Sequence, residues 1–282
     1  MEKQAVYSMT EGIPAKLLLR FTLPMLIGNL FQQFYNMVDS IVVGRFVGAN
    51  ALGAVGATGS LNFLFFAMSF GIAAGVGVVV SQYFGADRMD MVEKSIINGM
   101  YLLTAVSAIM GIAGIVLARP VLVMLDTPAV MVDDAVIYMQ VSCAGILAVA
   151  AYNGVASVMR ALGDSKTPLY FMLLACGVNI VLDLLFVIVF RWAVFGVALA
   201  TVIAQLVAAI GSFAYAFYRI PCFRIKKENR PVRTDIIARC FTLGMPIAFQ
   251  NALIAVSCIF LQKVVNGFGE SVVAANTALG RI

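Results

Sequence analysis

Apolar residues run along this chain in long blocks divided by short polar breaks. The blocks cover roughly residues 17–43, 51–83, 95–117, 131–159, 168–190, 193–217 and 236–265, and another opens at 272. A helix needs about 20 apolar residues to cross about 30 Å of hydrocarbon, so each complete block predicts one membrane span. Tilt absorbs the excess in the longer ones. No polar segment between them is long enough for a separate soluble domain. The pattern predicts an all-α polytopic membrane protein.

A repeat organises these spans. LPMLIGNL in the first block and MPIAFQNA in the seventh carry Pro and Asn at matching offsets: Pro24 with Pro246, and Asn29 with Asn251. GANALGAVGATG and GESVVAANTALG then follow in the same order, one residue out of step. Six helices thus form one lobe, and a second, parallel copy begins near residue 235, as in transporters built from two like halves. The expected organisation is a tail at 1–16, a six-helix N-lobe at 17–218, a basic linker at 219–235, and the first one to two helices of a C-lobe at 236–282. On this reading the chain is a fragment, with about four further helices completing the second lobe by analogy with the first.

Composition agrees. The chain is 62% hydrophobic and 12% charged, against about 45–50% apolar and about 25% charged in a soluble domain. A soluble enzyme is excluded, and neither a nucleophile–base set nor a phosphate loop is present. Five cysteines without CxxC spacing argue against a disulfide framework or a zinc site. The absence of histidine removes any histidine proton relay, so proton chemistry falls to carboxylates. No cofactor is expected.

Charge sets the orientation. Arg88 and Lys94, then Arg160 and Lys166, fall in even-numbered loops, and Arg219, Arg224, Lys226, Lys227, Arg230, Arg233 and Arg239 cluster around the sixth. The other loops hold only Arg45, Arg119, Arg191 and Lys263. By the positive-inside rule the N-terminus and even loops face the cytoplasm, across the plasma membrane. The net charge of +5 reflects this asymmetry, and nucleic acid is not needed to explain it. The N-terminal segment reads as a cytosolic tail, not a signal peptide. The basic sixth loop reads either as a contact for anionic lipid or, more simply, as a connector obeying the topology rule.

Polar residues inside spans carry the functional signal. On the first span Asn29, Gln32, Gln33, Asn36, Asp39 and Ser40 recur every three to four residues, forming one helical stripe. Such a stripe faces protein or a water-filled cavity; interhelical hydrogen-bonding glue is the simpler alternative. Pro24 removes a helical hydrogen bond and marks a hinge. In NIVLDLLFV of the fifth span, Asn179 and Asp183 are four residues apart, on one face. Asp183 lies eight residues before Arg191, and Thr201 lies eight residues into the returning sixth span, so the two share a depth. With Asp39, these oxygens would form a site for H+ or Na+ if they converge, because carboxylates side by side can share a proton. The alternatives are an Asp183–Arg191 ion pair and an Asp39 side chain snorkelling to the interface. Tyr138, Gln140, Tyr152 and Asn153 on the fourth span are candidate neighbours, with ordinary packing as the simpler reading of each alone, and Gln32, Gln33 and Asn36 are candidates for substrate or network contacts.

Several segments together resemble the multidrug and toxic compound extrusion (MATE) family: TLPMLIGNLFQQFYNMVDSIVVGRFVGANALGAVG, QYFGADR, MRALGDSKTP and NIVLDLLFV. The resemblance implies two six-helix lobes around a cleft and export of organic cations and drugs in exchange for H+ or Na+. It implies a cation-coupling set of Asp39, Asn179, Asp183 and Thr201, with Na+ as one candidate ion, and a network including Tyr138 and Asn153. It implies a transporter that works as a monomer among membrane lipids. The alternative is a lipid-linked oligosaccharide flippase of related architecture, against which the acidic intramembrane charges speak. A non-transporting membrane scaffold would not need paired acids.

Overall fold

A computed structural model describes residues 14–279. The segment 1–13, with most of the expected cytosolic tail, and residues 280–282, with the last glycine of the repeat, lie outside the described residues. Within them the chain is helical: α1 (Pro14–Val42), α2 (Ala49–Gly85), α3 (Met89–Met124), α4 (Ala129–Ala144), α5 (Ile146–Ala161), α6 (Lys166–Leu184), α7 (Ala193–Arg219), α8 (Thr234–Asn266) and α9 (Glu270–Leu279).

The predicted spans map onto these helices, with two differences. The fourth is not one rod: α4 and α5 meet at Gly145 with a 45° bend. An ideal Cβ on Gly145 would lie 2.8 Å from Val202 Cγ1, so the bend lets α7 come close to the break. Second, five described helices are long and apolar enough to cross a membrane, or six if the bent pair counts as one. The first span is not among them, because its amides and acid dilute its apolar content. It packs along α6 in the bundle.

The breaks follow local chemistry. Asp87 and Asp126 take φ of 56° and 54° just beyond α2 and α3. Asp tolerates this left-handed conformation better than a bulky residue, and it stops the helix.

Helix α2 is the centre. Its small and β-branched residues pack on α3, α4, α5, α8 and α9. One core, around Ile72, Val76, Val80, Ile96, Leu103 and Met159, lies toward the basic linker; another, around Leu61, Leu122, Met131 and Met139, lies toward the far end. Glycines let α8 approach closely: a Cβ on Gly244 would lie 2.7 Å from the Gly71 carbonyl oxygen. Helix α9 then rests on α2, with Val273 by Gly53 and Thr277 by Gly56. The outer surface is apolar, as a lipid-facing surface is: on α3, Ile112 is 65% and Val116 67% exposed.

The linker between α7 and α8 is folded. Ile220 and Phe223 are buried. Asn98 of α3 accepts from Arg233 N at 2.7 Å and donates to Pro231 O at 3.4 Å. Glu93 accepts from Asn229 Nδ2 at 2.8 Å and from Lys226 N at 3.3 Å.

Candidate functional site: a buried acid pair between α1, α6 and α7

Two acid-bearing helices end in the same way. Asp39 lies one turn before a π-helical turn at Val43–Val47, and Asp183 lies just before another at Leu185–Val189. The two turns pack together, through Val42, Val43 and Val187 against Val194 and Val197 of α7. Single π turns are rare and cluster at functional sites, because the widened turn re-aims the side chains around it. Here that junction fixes α1, α6 and α7 beside the acids.

Asp183 is fully buried, Asn179 is 1% exposed and Asp39 is 6% exposed. The Asp39 and Asp183 carboxyls are close electrostatic neighbours across the α1–α6 contact. Neither oxygen of Asp183 receives a hydrogen bond from another described residue, and the Asn179 Oδ1 and Gln205 Oε1 atoms are likewise unmatched. An unmatched buried acceptor costs about 1–3 kcal/mol, more when charged. Several such acceptors share this one buried place.

A hydroxyl organises the rim. Thr201 Oγ1 accepts from Tyr35 at 3.1 Å and from Asn179 Nδ2 at 3.4 Å, and donates to Val197 O at 3.2 Å. A hydroxyl has one donor and two acceptor sites, so Thr201 is saturated in this arrangement. It orients Tyr35 and Asn179, and its own oxygen is free for a cation only if one of those bonds opens. Beside this network Gln32, Tyr35, Asn179 and Gln205 line a cleft of about 10 Å3, room for roughly one water.

The sequence-predicted set thus comes together in Asp39, Asn179, Asp183 and Thr201, with Gln32 at the cleft and Tyr138 among the electrostatic neighbours of Tyr35. Two alternatives fall. Asp183 is sealed in the core while Arg191 is exposed, and the ion pairs of the described residues do not join them. Asp39 turns inward to Asp183 and does not snorkel. The stripe on α1 divides: Gln32, Tyr35 and Asp39 face α6 and α7, whereas Asn36 Nδ2 donates to Gln33 Oε1 at 3.2 Å on the exposed side. Asn153 donates to Val149 O of its own helix at 2.8 Å, away from this network. Pro24 sits inside α1, which continues through it. Tyr35 and Gln205 were not anticipated. Tyr35 is four residues before Asp39, and that spacing was the available signal. Among the described residues no three His, Cys, Asp or Glu side chains converge. The oxygens gathered here are one acid pair plus neutral amide and hydroxyl oxygens.

This fold and site define a multi-pass helical membrane protein with a carboxylate pair in its interior. The chain belongs to the MatE family, whose model matches residues 24–185. It is 32% identical over 277 residues to the "Probable multidrug resistance protein YpnP" of Bacillus subtilis (strain 168), covering 98% of this chain and 62% of that one. It is 21% identical to the "Multidrug export protein MepA" of Staphylococcus aureus (strain MRSA252), covering 98% of this chain and 61% of the other. The fold matches a MATE transporter of the MOP superfamily in an inward-facing conformation, with a TM-score of 0.80 at 23% identity over 94% of this chain and 60% of that one. It also matches a MATE protein in a bent conformation, with a TM-score of 0.81 at 24% identity over 89% and 56% of the two chains. The chain therefore spans about six-tenths of the length of the curated relatives it matches.

Proposed function

We propose that this chain forms the acid-bearing part of a secondary antiporter that exports small organic cations or drugs across the plasma membrane in exchange for H+ or Na+. The observation that carries this reading is Asp183: a fully buried carboxyl, against Asp39, with no donor from another residue on either oxygen. A purely structural acid would be matched by donors; an acid that must take up and release a cation is left open to one. The names of the relatives, a multidrug resistance protein and a multidrug export protein, support the substrate class.

In mechanism, the cation binds between Asp39 and Asp183, with Asn179 Oδ1 as the neutral ligand. Binding removes the repulsion between the two acids and favours one conformation of the α1–α6–α7 group. Drug and ion need not touch; each must only favour a different state. Residues 17–218 act as one lobe, 219–235 as the linker and 236–282 as the start of the second, with the basic end facing the cytoplasm.

The test is efflux of a cationic dye from proteoliposomes under an imposed Na+ or H+ gradient. Gradient-driven transport is expected in wild type and lost in Asp183→Asn at unchanged helix content. Equal transport by the two proteins would overturn the coupling role.

A further inference from the structure

A second cavity, of about 70 Å3, lies roughly 22 Å along α6 from the acids, counted from Pro168 to Asp183 at 1.5 Å per residue. It opens where α5 ends and α6 begins, and α1 supplies its other wall. Pro24, Met25, Leu169 and Met172 make it largely apolar, and its polar members are Arg160, Ser165, Asn29 and Tyr152, whose hydroxyl is spent on Pro168 O at 2.9 Å.

The charge of this lining is one-sided, with Arg160 and no acid among its residues. Arg160 is only partly exposed, and the ion pairs of the described residues are Lys94–Asp90, Arg119–Asp133, Arg233–Asp235 and Lys263–Asp126, none of which includes it. The nearest acid in sequence, Asp164, is engaged elsewhere. Its Oδ1 accepts from Lys166 N at 3.1 Å and Thr167 N at 3.0 Å, capping α6. The Ser165 side chain is 6% exposed and enters no hydrogen bond among the described residues. A partly buried cation without a carboxylate is costly, and pairing relieves it. A guanidinium is a planar fork of donors that fits two oxygens of one anion, and a hydroxyl beside it adds a third donor.

We propose that Arg160 and Ser165 form a binding site for a phosphate-type anion in the cavity between α1, α5 and α6. The apolar walls suit the carbon atoms attached to such a group. Two sources share this chemistry: the headgroup of an anionic phospholipid and free inorganic phosphate. The anion bridges α5 and α6 to α1 beside Pro24, where the helical hydrogen-bond ladder of α1 is interrupted. It therefore steadies the helix that carries Asp39, from its opposite end.

The experiment is native mass spectrometry of the purified protein titrated with phosphatidylglycerol, phosphatidylcholine or inorganic phosphate. Three variants accompany wild type: Arg160→Gln; Leu169→Trp, which fills the cavity and keeps every charge; and Arg219→Gln, which removes an exposed arginine. Wild type and Arg219→Gln are expected to prefer phosphatidylglycerol over phosphatidylcholine, and both cavity variants to bind it at least about tenfold more weakly, the scale of a charge-assisted hydrogen bond. That result supports the lipid headgroup as source. Binding of phosphate alone, lost in the same two variants, supports the free anion. Any of three results overturns the site: no preference for either anion, a loss in Arg219→Gln equal to that in Arg160→Gln, or full binding by Leu169→Trp. If Arg160→Gln does not fold, Leu169→Trp alone decides the matter.

Discussion

The Tyr35 hydroxyl donates to Thr201 Oγ1 at 3.1 Å, joining α1 to α7 across 166 positions of sequence. Thr201 holds Asn179 at the same oxygen, so one small hydroxyl keeps three helices in register around the acids. Thr201→Val removes the common acceptor and strands two donors, the buried Asn179 at about 1–3 kcal/mol and the half-buried Tyr35 at less. Tyr35→Phe removes one donor and leaves Asn179 in place. The melting temperature, followed through the single tryptophan, Trp192, is expected to fall clearly in Thr201→Val and only slightly in Tyr35→Phe. In the double mutant the effects should fall short of their sum, because both changes break one bond. Additive losses would dissolve the network.

The acids themselves give a binding prediction. A ligand that binds only the folded state raises stability by about 2.7 kcal/mol at a hundred times its dissociation constant. If the pair takes up Na+, melting in NaCl should exceed melting in choline chloride at equal ionic strength. If it takes up only H+, the two salts should match and melting should change with pH. Asp183→Asn and Asp39→Asn should each remove the dependence. The amide supplies donors to unmatched neighbours, so Asp183→Asn is expected to melt no lower than wild type without salt. An ion dependence that survives both substitutions would move the coupling site elsewhere.

Much of this site was legible from spacing. Asn179 and Asp183 share a helical face by the four-residue rule. The reversal at Arg191 set the depth of Thr201, because a short connection forces equal distances on either side. What spacing could not do was divide the stripe on α1. Gln33 and Asn36 recur at the same period as Asp39, yet they pair with each other on the exposed side, while Tyr35, which reads as apolar, does the polar work. An amide can also satisfy itself on its own helix, as Asn153 does at Val149 O; sequence alone cannot tell that from a cluster. The break at Gly145 was hidden because a glycine in an apolar block also reads as close packing.

Helix α8 owes its position to glycine. A Cβ on Gly244 would sit 2.7 Å from Gly71 O, and one on Gly75 2.6 Å from Gly244 N; backbone atoms cannot yield as side chains do. Gly244→Ala and Gly75→Ala should each destabilise by about 1–3 kcal/mol, as overpacking does. Gly177→Ala, on an open face of α6 with nothing within 4 Å, should be neutral or stabilising by up to about 1 kcal/mol. Thermal melts of the three variants test this. Equal melting would mean that the α2–α8 seam relaxes freely.

The basic linker supplies the last prediction. Its order was missed from sequence because Asn98, which holds it, sits within an apolar-leaning helix and reads as an isolated amide. In the structure Asn98 accepts from Arg233 N and donates to Pro231 O, while Glu93 receives Lys226 N and Asn229 Nδ2. These four contacts pin a segment whose lysines and arginines are otherwise exposed trypsin sites. Asn98→Ala leaves the Arg233 amide without its acceptor, at about 1–3 kcal/mol, and Glu93→Ala releases the other half of the loop. Trypsin cleavage at Arg224, Lys226 and Lys227 is expected to accelerate about tenfold or more in each variant, since cleavage follows the population of the opened segment. The double variant should be faster than either, because the two anchors hold different parts of the linker. Unchanged cleavage would mean that buried Ile220 and Phe223 hold the linker without help from either side chain.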